Sequence, residues 1–221
     1  QVGALPRRGE TLNGGDYLLV PGGKGANQAV AAALAGAPVA MFGQVGNDDF
    51  APAALKLLTK FGVDIAGGHK SARPTGCAAV WVESSGENAI VVAAGANHET
   101  NADQVPEELL APDTIVAMQM HVTLDENWKL ARRAKQKGAR VFLNIAPAGP
   151  VPDDILRLVD VIVVNELEGE AIATQQGLYY ETLREIPREF VARFGGVCVL
   201  TLGAEGAVAF GPEGGLSVSS L

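Results

Sequence analysis

The stretch Pro21-Gly22-Gly23-Lys24-Gly25-Ala26-Asn27-Gln28-Ala29-Val30 runs glycines straight into an Ala-rich helix start. Glycine admits φ > 0 and lets backbone approach a ligand closely, and the first N–H groups of a helix lack intrahelical partners. Polar oxygens can bind at such a turn. A plain helix-start turn would look the same, and the residues by themselves leave both readings open. The stretch is not a P-loop, because Gly25 rather than Ser or Thr follows Lys24, and Gln28 breaks a dinucleotide G-x-G-x-x-G pattern.

Further polar residues stand where apolar runs end. Val197–Thr201 leads into Thr201-Leu202-Gly203-Ala204-Glu205-Gly206, Val159–Val164 into Asn165-Glu166-Leu167-Glu168, and Thr114–Met118 into Gln119 and His121. Ligands of open α/β sheets collect at the carboxyl ends of strands, which suits a ligand at the Thr201–Gly206 turn. The plainer readings are a β-turn at Thr201–Gly206 and a satisfied polar side chain at His121.

The elements that must position these residues alternate in period. Ala26–Leu34, Phe50–Phe61, Glu126–Lys137, Glu166–Gln175 and Glu181–Phe194 have helical patterns, while Val39–Phe42, Thr114–Met118, Val141–Leu143, Val159–Val164 and Val197–Thr201 read as short apolar strands. This β-α-β alternation predicts an α/β protein with a mostly parallel sheet flanked by helices. Cys77–Glu83 and Ala89–Ala93, joined by Ser84-Ser85-Gly86-Glu87-Asn88, break the rhythm and predict an antiparallel hairpin.

Composition bounds the function. Hydrophobic residues at 48% and charged residues at 19% fit a globular chain, and 221 residues suffice for one main domain. A net charge of −8 argues against nucleic acid, and the basic run Lys129–Lys137 reads as the solvated face of a helix. Cys77 and Cys198 lie too far apart for a metal-spaced cluster and are expected to be reduced core thiols. Apolar stretches are too short to cross a membrane and no signal peptide is seen, so a cytoplasmic location with no membrane partner is expected.

The segment Gly22–Ala33 resembles the N-terminal signature of the ribokinase-like carbohydrate kinases. Pro6–Thr11, Gly43-Gln44-Val45-Gly46-Asn47-Asp48, Thr75-Gly76, Gly86-Glu87-Asn88, Gly95-Ala96-Asn97, Asn144–Ala148, Asn165–Glu168 and Thr201–Gly206 resemble that family's later segments, in order. The resemblance implies a three-layer α/β sandwich with lid segments near 9–20 and 75–95, and transfer of the γ-phosphoryl group of ATP to a small sugar, ribose first. It implies sugar contacts at Gly23, Lys24, Gly25, Ala26, Asn27, Ile90 and His121, and nucleotide contacts at Asn165, Thr201, Leu202, Gly203, Ala204, Glu205 and Gly206.

By the same resemblance Glu168 would hold Mg²⁺ through water, as a carboxylate can for an ion that sheds its hydration shell reluctantly. K⁺ is a further implied cation, and a homodimer through the lid an implied partner. The glycine turn and the turn around Gly203 are expected to face each other across one cleft. Where the family usually carries an acid at the sugar, this chain has His121, which implies a substrate other than ribose. The family's catalytic aspartate lies in a Gly-Ala-Gly-Asp motif that does not occur in these 221 residues, so the catalytic residue is unknown and this chain by itself is expected to be inactive. The alternatives are an inactive sugar- or nucleotide-binding relative and a kinase for another sugar or nucleoside.

Overall fold

The computed structural model describes residues 5–6, 8–85 and 88–220. Arg7 of the Pro6–Thr11 segment, and Gly86 and Glu87 of the hairpin turn, lie outside the described residues. The chain divides into two compact units, one up to Thr100 and one from Asn101.

In the first unit, helix α1 (Lys24–Leu34) is followed by strand β1 (Gln44–Gly46), helix α2 (Phe50–Lys60), strand β2 (His69–Ser71) and a hairpin of β3 (Cys77–Val82) and β4 (Asn88–Ala93). Strands β1 and β2 pair in parallel with Gly46 opposite Ser71, and β3 and β4 pair antiparallel with Val80 opposite Ile90. The expected strand at Val39–Phe42 reduces to one bridge from Ala40 to Asp64, and the ladder begins later, at Gln44. An apolar run signals burial without saying which backbone will pair with it. Cys77 is exposed and not a core thiol, because the hairpin carrying it leaves Val80, Ile90, Val91 and Val92 exposed.

The second unit holds a six-stranded sheet. Strands β5 (Ile115–Gln119), β6 (Arg140–Asn144), β7 (Val161–Asn165) and β8 (Val197–Thr201) are parallel, and β9 (Ala207–Gly211) and β10 (Gly214–Val218) extend the sheet antiparallel from β8, giving the order β10-β9-β8-β7-β6-β5. Helices α3 (Leu124–Gln136), α4 (Asp153–Leu156), α5 (Glu166–Gln176) and α6 (Ile186–Phe194) lie between strands in sequence. Val141, Leu143, Ile162, Val164, Cys198 and Leu200 are buried on one face of the sheet, where period-two alternation places every second side chain. A Cβ at Gly169 of α5 would come within 3.0 Å of Leu200 and 3.5 Å of Val164, so this helix lies close on that face.

The helix expected over Glu181–Phe194 divides into a 3₁₀ turn at Leu183–Glu185 and α6, which has Pro187 in its first turn. Proline lacks the N–H an interior helical residue needs, but is tolerated where that N–H would be unpaired. In α3, Asp125 and Glu126 open the helix and Arg133 and Lys135 close it, matching the helix dipole. Its basic run is neutralised locally: Lys129 pairs with Asp103 at 2.6 Å, Arg132 with Asp154 at 2.6 Å, Lys135 with Asp160 at 2.8 Å and Lys137 with Glu107 at 2.8 Å. These cations are engaged with carboxylates and do not form a bare stripe for a phosphate backbone.

Candidate active site

In the first unit the candidate site is the head of α1. Gly23 sits before the helix at φ 100°, a conformation that side-chain-bearing residues rarely adopt, and a Cβ there would meet nothing within 4 Å. Backbone conformation, not space, calls for glycine here. The helix starts at Lys24, two residues earlier than its pattern suggested, and Asn27 N donates to Gly23 O at 2.9 Å. Lys24, Gly25 and Ala26 therefore present first-turn N–H groups at the positive end of an eleven-residue helix. Lys24 and Asn27 are exposed, and Gly25 and Ala26 half-buried. Ile90 lies on β4, with 56% of its surface exposed.

In the second unit the carboxyl edge of the parallel strands carries a row of polar residues. Gln119 ends β5, Asn144 ends β6, Asn165 ends β7 and Thr201 ends β8; Gln119 is in register with Asn144, and Asn165 with Thr201. Adjacent strands lie about 4.8 Å apart, so the four strand ends span roughly 14 Å. Gln119 O accepts from Asn127 Nδ2 at 2.7 Å, and Asn144 Nδ2 donates to Val163 O at 3.1 Å. His121 lies half-buried two residues beyond β5.

Asn165 and Glu168 form a reciprocal cap on α5. Asn165 Oδ1 accepts from Glu168 N at 2.8 Å, and Glu168 Oε2 accepts from Asn165 N at 3.0 Å. The Glu168 residue is 8% exposed. One carboxylate oxygen is thus committed to backbone while the side chain stays at the sheet's carboxyl edge. Among the described residues no group of three His, Cys, Asp or Glu side chains could hold a metal. A single carboxylate does fit Mg²⁺ held mostly by water and phosphate oxygens, the usual manner for that ion.

Beyond Thr201 the chain makes a tight turn. Leu202 is buried, Gly203–Glu205 form a 3₁₀ turn, and Leu202 N donates to Gly206 O at 2.8 Å, closing the loop. Thr201 Oγ1 donates to Val164 O at 3.3 Å, while Gly203 and Ala204 are exposed. Glu205 is turned to Arg184, 2.7 Å away in an exposed ion pair.

All the expected residues but Ile90, which stands on β4, thus fall in two places: Gly23–Asn27 at the head of α1, and His121, Asn165, Glu168 and Thr201–Gly206 on one sheet edge. Asn144 was singled out only as part of a family-like segment, with no site role. Its signal was a polar residue closing the apolar run Val141–Leu143, the same signal that Asn165 gives.

The family description "pfkB family carbohydrate kinase" matches residues 2–221. The chain belongs to the pfkB family of carbohydrate kinases. This pfkB-family chain is 35% identical over 201 residues to the ribokinase of Haemophilus influenzae, a match covering 90% of this chain and 66% of that protein. It is 30% identical over 208 residues to the deoxyribokinase of Salmonella typhimurium, covering 92% and 68%. The chain spans about two thirds of the length of the curated relatives it matches. Among solved structures it is similar to Arabidopsis thaliana ribokinase complexed with ribose and ATP, with a TM-score of 0.83 and 26% identity, covering 99% of this chain and 72% of that one. The α/β ribokinase-like fold expected from the sequence is the fold of these pfkB relatives. No helix among the described residues is long and apolar enough to cross a membrane.

Proposed function

We propose that this protein takes part in ATP- and Mg²⁺-dependent phosphorylation of a hydroxyl of a small sugar, with ribose the first candidate. The observation that carries the proposal is the carboxyl edge of the parallel sheet. There Asn165, Glu168 and the Thr201–Gly206 turn share one edge with His121. Backbone N–H groups at a turn and a helix N-terminus favour phosphate oxygens, and phosphoryl transfer depends chiefly on positioning and on stabilising charge.

On this reading Thr201, Leu202, Gly203, Ala204, Glu205, Gly206 and Asn165 receive the nucleotide, with Glu205 held aside by Arg184. Glu168 would hold Mg²⁺ through water, and the ion would neutralise phosphate charge when bound. Gly23, Lys24, Gly25, Ala26, Asn27, Ile90 and His121 would contact the sugar, with Lys24 and Asn27 supplying hydrogen-bond donors to its hydroxyls. The β3–β4 hairpin would cover the sugar and keep water from the γ-phosphate, and its exposed Val80, Ile90 and Val91 suit pairing with a second subunit. The acceptor hydroxyl attacks in line, and its proton acceptor is not assigned to a residue of this chain.

His121 favours a second reading, a sugar other than ribose, and the similarity to a deoxyribokinase supports it. A coupled ADP-release screen of the full-length gene product against ribose, deoxyribose, other pentoses, hexoses and nucleosides tests both. Sugar-dependent ADP release is expected. No release with any acceptor removes the kinase proposal, and a clear preference for ribose removes the second reading.

A further inference from the structure

Three sequence segments that no step above uses, Gly43–Asp48, Thr75-Gly76 and Gly95–Asn97, converge in the first unit. The Asp48 carboxylate accepts from Thr75 N at 2.6 Å and Thr75 Oγ1 at 2.7 Å, and also from Phe50 N at 3.2 Å and Ala51 N at 3.1 Å. The Thr75 hydroxyl in turn accepts from Gly46 N at 2.9 Å, and Thr75 is buried. Asp48 therefore caps the start of α2 and grips the strand leading into β3 with the same carboxylate. The fit is close: a Cβ at Gly46 would lie 2.5 Å from Thr75 N and 2.6 Å from Asp48 Oδ2. The chain returning from β4 joins the same knot, where Ala96 N donates to Pro74 O at 2.8 Å.

The hairpin needs such an anchor. Among the described residues β3 and β4 pair only with each other, and most of their side chains are exposed. A lone two-stranded ribbon is marginal in water, so its direction is set largely where it is rooted. Near the tip, Leu5 N donates to Glu83 Oε1 at 2.7 Å.

We infer that Asp48 and Thr75 are positioning residues that fix the root of the β3–β4 hairpin against α2, and through it the placement of the hairpin over the acceptor. The second half rests on the proposed reading of the hairpin as a cover. The test uses Asp48→Asn, Thr75→Val and Thr75→Ser in the full-length protein, with amide hydrogen exchange over Cys77–Val82 and Asn88–Ala93 and steady-state kinetics. Thr75→Val keeps the Asp48 cap on α2, so it decides the matter should Asp48→Asn fail to fold. Asp48→Asn and Thr75→Val should speed hairpin exchange and raise the acceptor KM about tenfold, the scale of one lost charge-assisted hydrogen bond, with a smaller change in kcat. Both should also raise acceptor-independent ATP hydrolysis relative to transfer, and Thr75→Ser, which retains the hydroxyl, should restore wild-type behaviour. Unchanged exchange in both disruptive variants overturns the root assignment. Faster exchange with an unchanged KM overturns the placement role. A wild type that phosphorylates no acceptor removes the proposed function instead, and exchange alone then judges the root.

Discussion

Glu168 has two possible jobs that one substitution separates. In α5 its carboxylate accepts from Asn165 N at 3.0 Å, and Asn165 returns the bond through Glu168 N at 2.8 Å. Asn165→Ala removes an N-cap side chain, a loss of about 1 kcal/mol, which for a chain of this size lowers Tm by about 2–4 °C. Glu168→Gln keeps an acceptor oxygen for Asn165 N and loses the charge beside a helix N-terminus, worth about 0.3–1 kcal/mol. Its Tm should therefore fall by about 4 °C or less. If the carboxylate also holds Mg²⁺ through water beside the transferring phosphoryl, kcat should fall more than tenfold, a barrier increase of over about 1.4 kcal/mol that no loss of folded protein at 25 °C could mimic. The assay pairs thermal unfolding with ADP release at saturating sugar and Mg·ATP. A Glu168→Gln enzyme with the small Tm change and a wild-type kcat would leave the carboxylate as a helix cap alone and refute the metal role.

Lys24→Ala and Asn27→Ala, both exposed at the head of α1, should raise the sugar KM or abolish turnover without changing the melting curve; unchanged kinetics would remove that subsite. Phe190, 2% exposed and 5.0 Å from the Phe194 ring, should cost about 3–5 kcal/mol on substitution by alanine in a denaturant titration, and a loss below about 1 kcal/mol would mean the second unit's core lies elsewhere. The Thr75 hydroxyl and backbone N–H hold the Asp48 carboxyl below the usual aspartate range. A depressed folded-state pKa gives stability that is present above the ordinary value and lost as pH falls through it toward the lowered one. The stability advantage of wild type over Asp48→Asn should thus be full at neutral pH and shrink below about pH 4, and a gap that widens on acidification would contradict the bonding. Burial pushes the Cys198 thiol up to about 12, whereas Cys77 is exposed, so a thiol reagent at neutral pH should label Cys77 rapidly and Cys198 only on unfolding.

The sequence revealed most where a signal is local. The runs ending at Gln119, Asn144, Asn165 and Thr201 are apolar and short, and each became a parallel strand of the six-stranded sheet. Asn165-Glu166-Leu167-Glu168 also carries the spacing of a capping box, so its structural role was readable beside its proposed chemical one. Strands β9 and β10 were missed because the glycines around Pro212-Glu213 obscure a pattern only five residues long on each side. The grip of Asp48 on Thr75 could not be read at all, since 27 residues separate them and only tertiary folding brings them within 2.7 Å.

The antiparallel edge bears on how the second unit assembles. Strands β8, β9 and β10 follow one another through the Leu202–Gly206 turn and the Pro212-Glu213 turn, whereas each parallel pairing from β5 to β8 waits on an intervening helix. Closing a short loop sacrifices less chain entropy than closing a long one, and hairpins form within microseconds. The meander accordingly holds the shortest loop closures of the second unit's sheet, and β8 is the strand at which these local pairings meet the long-range parallel ones.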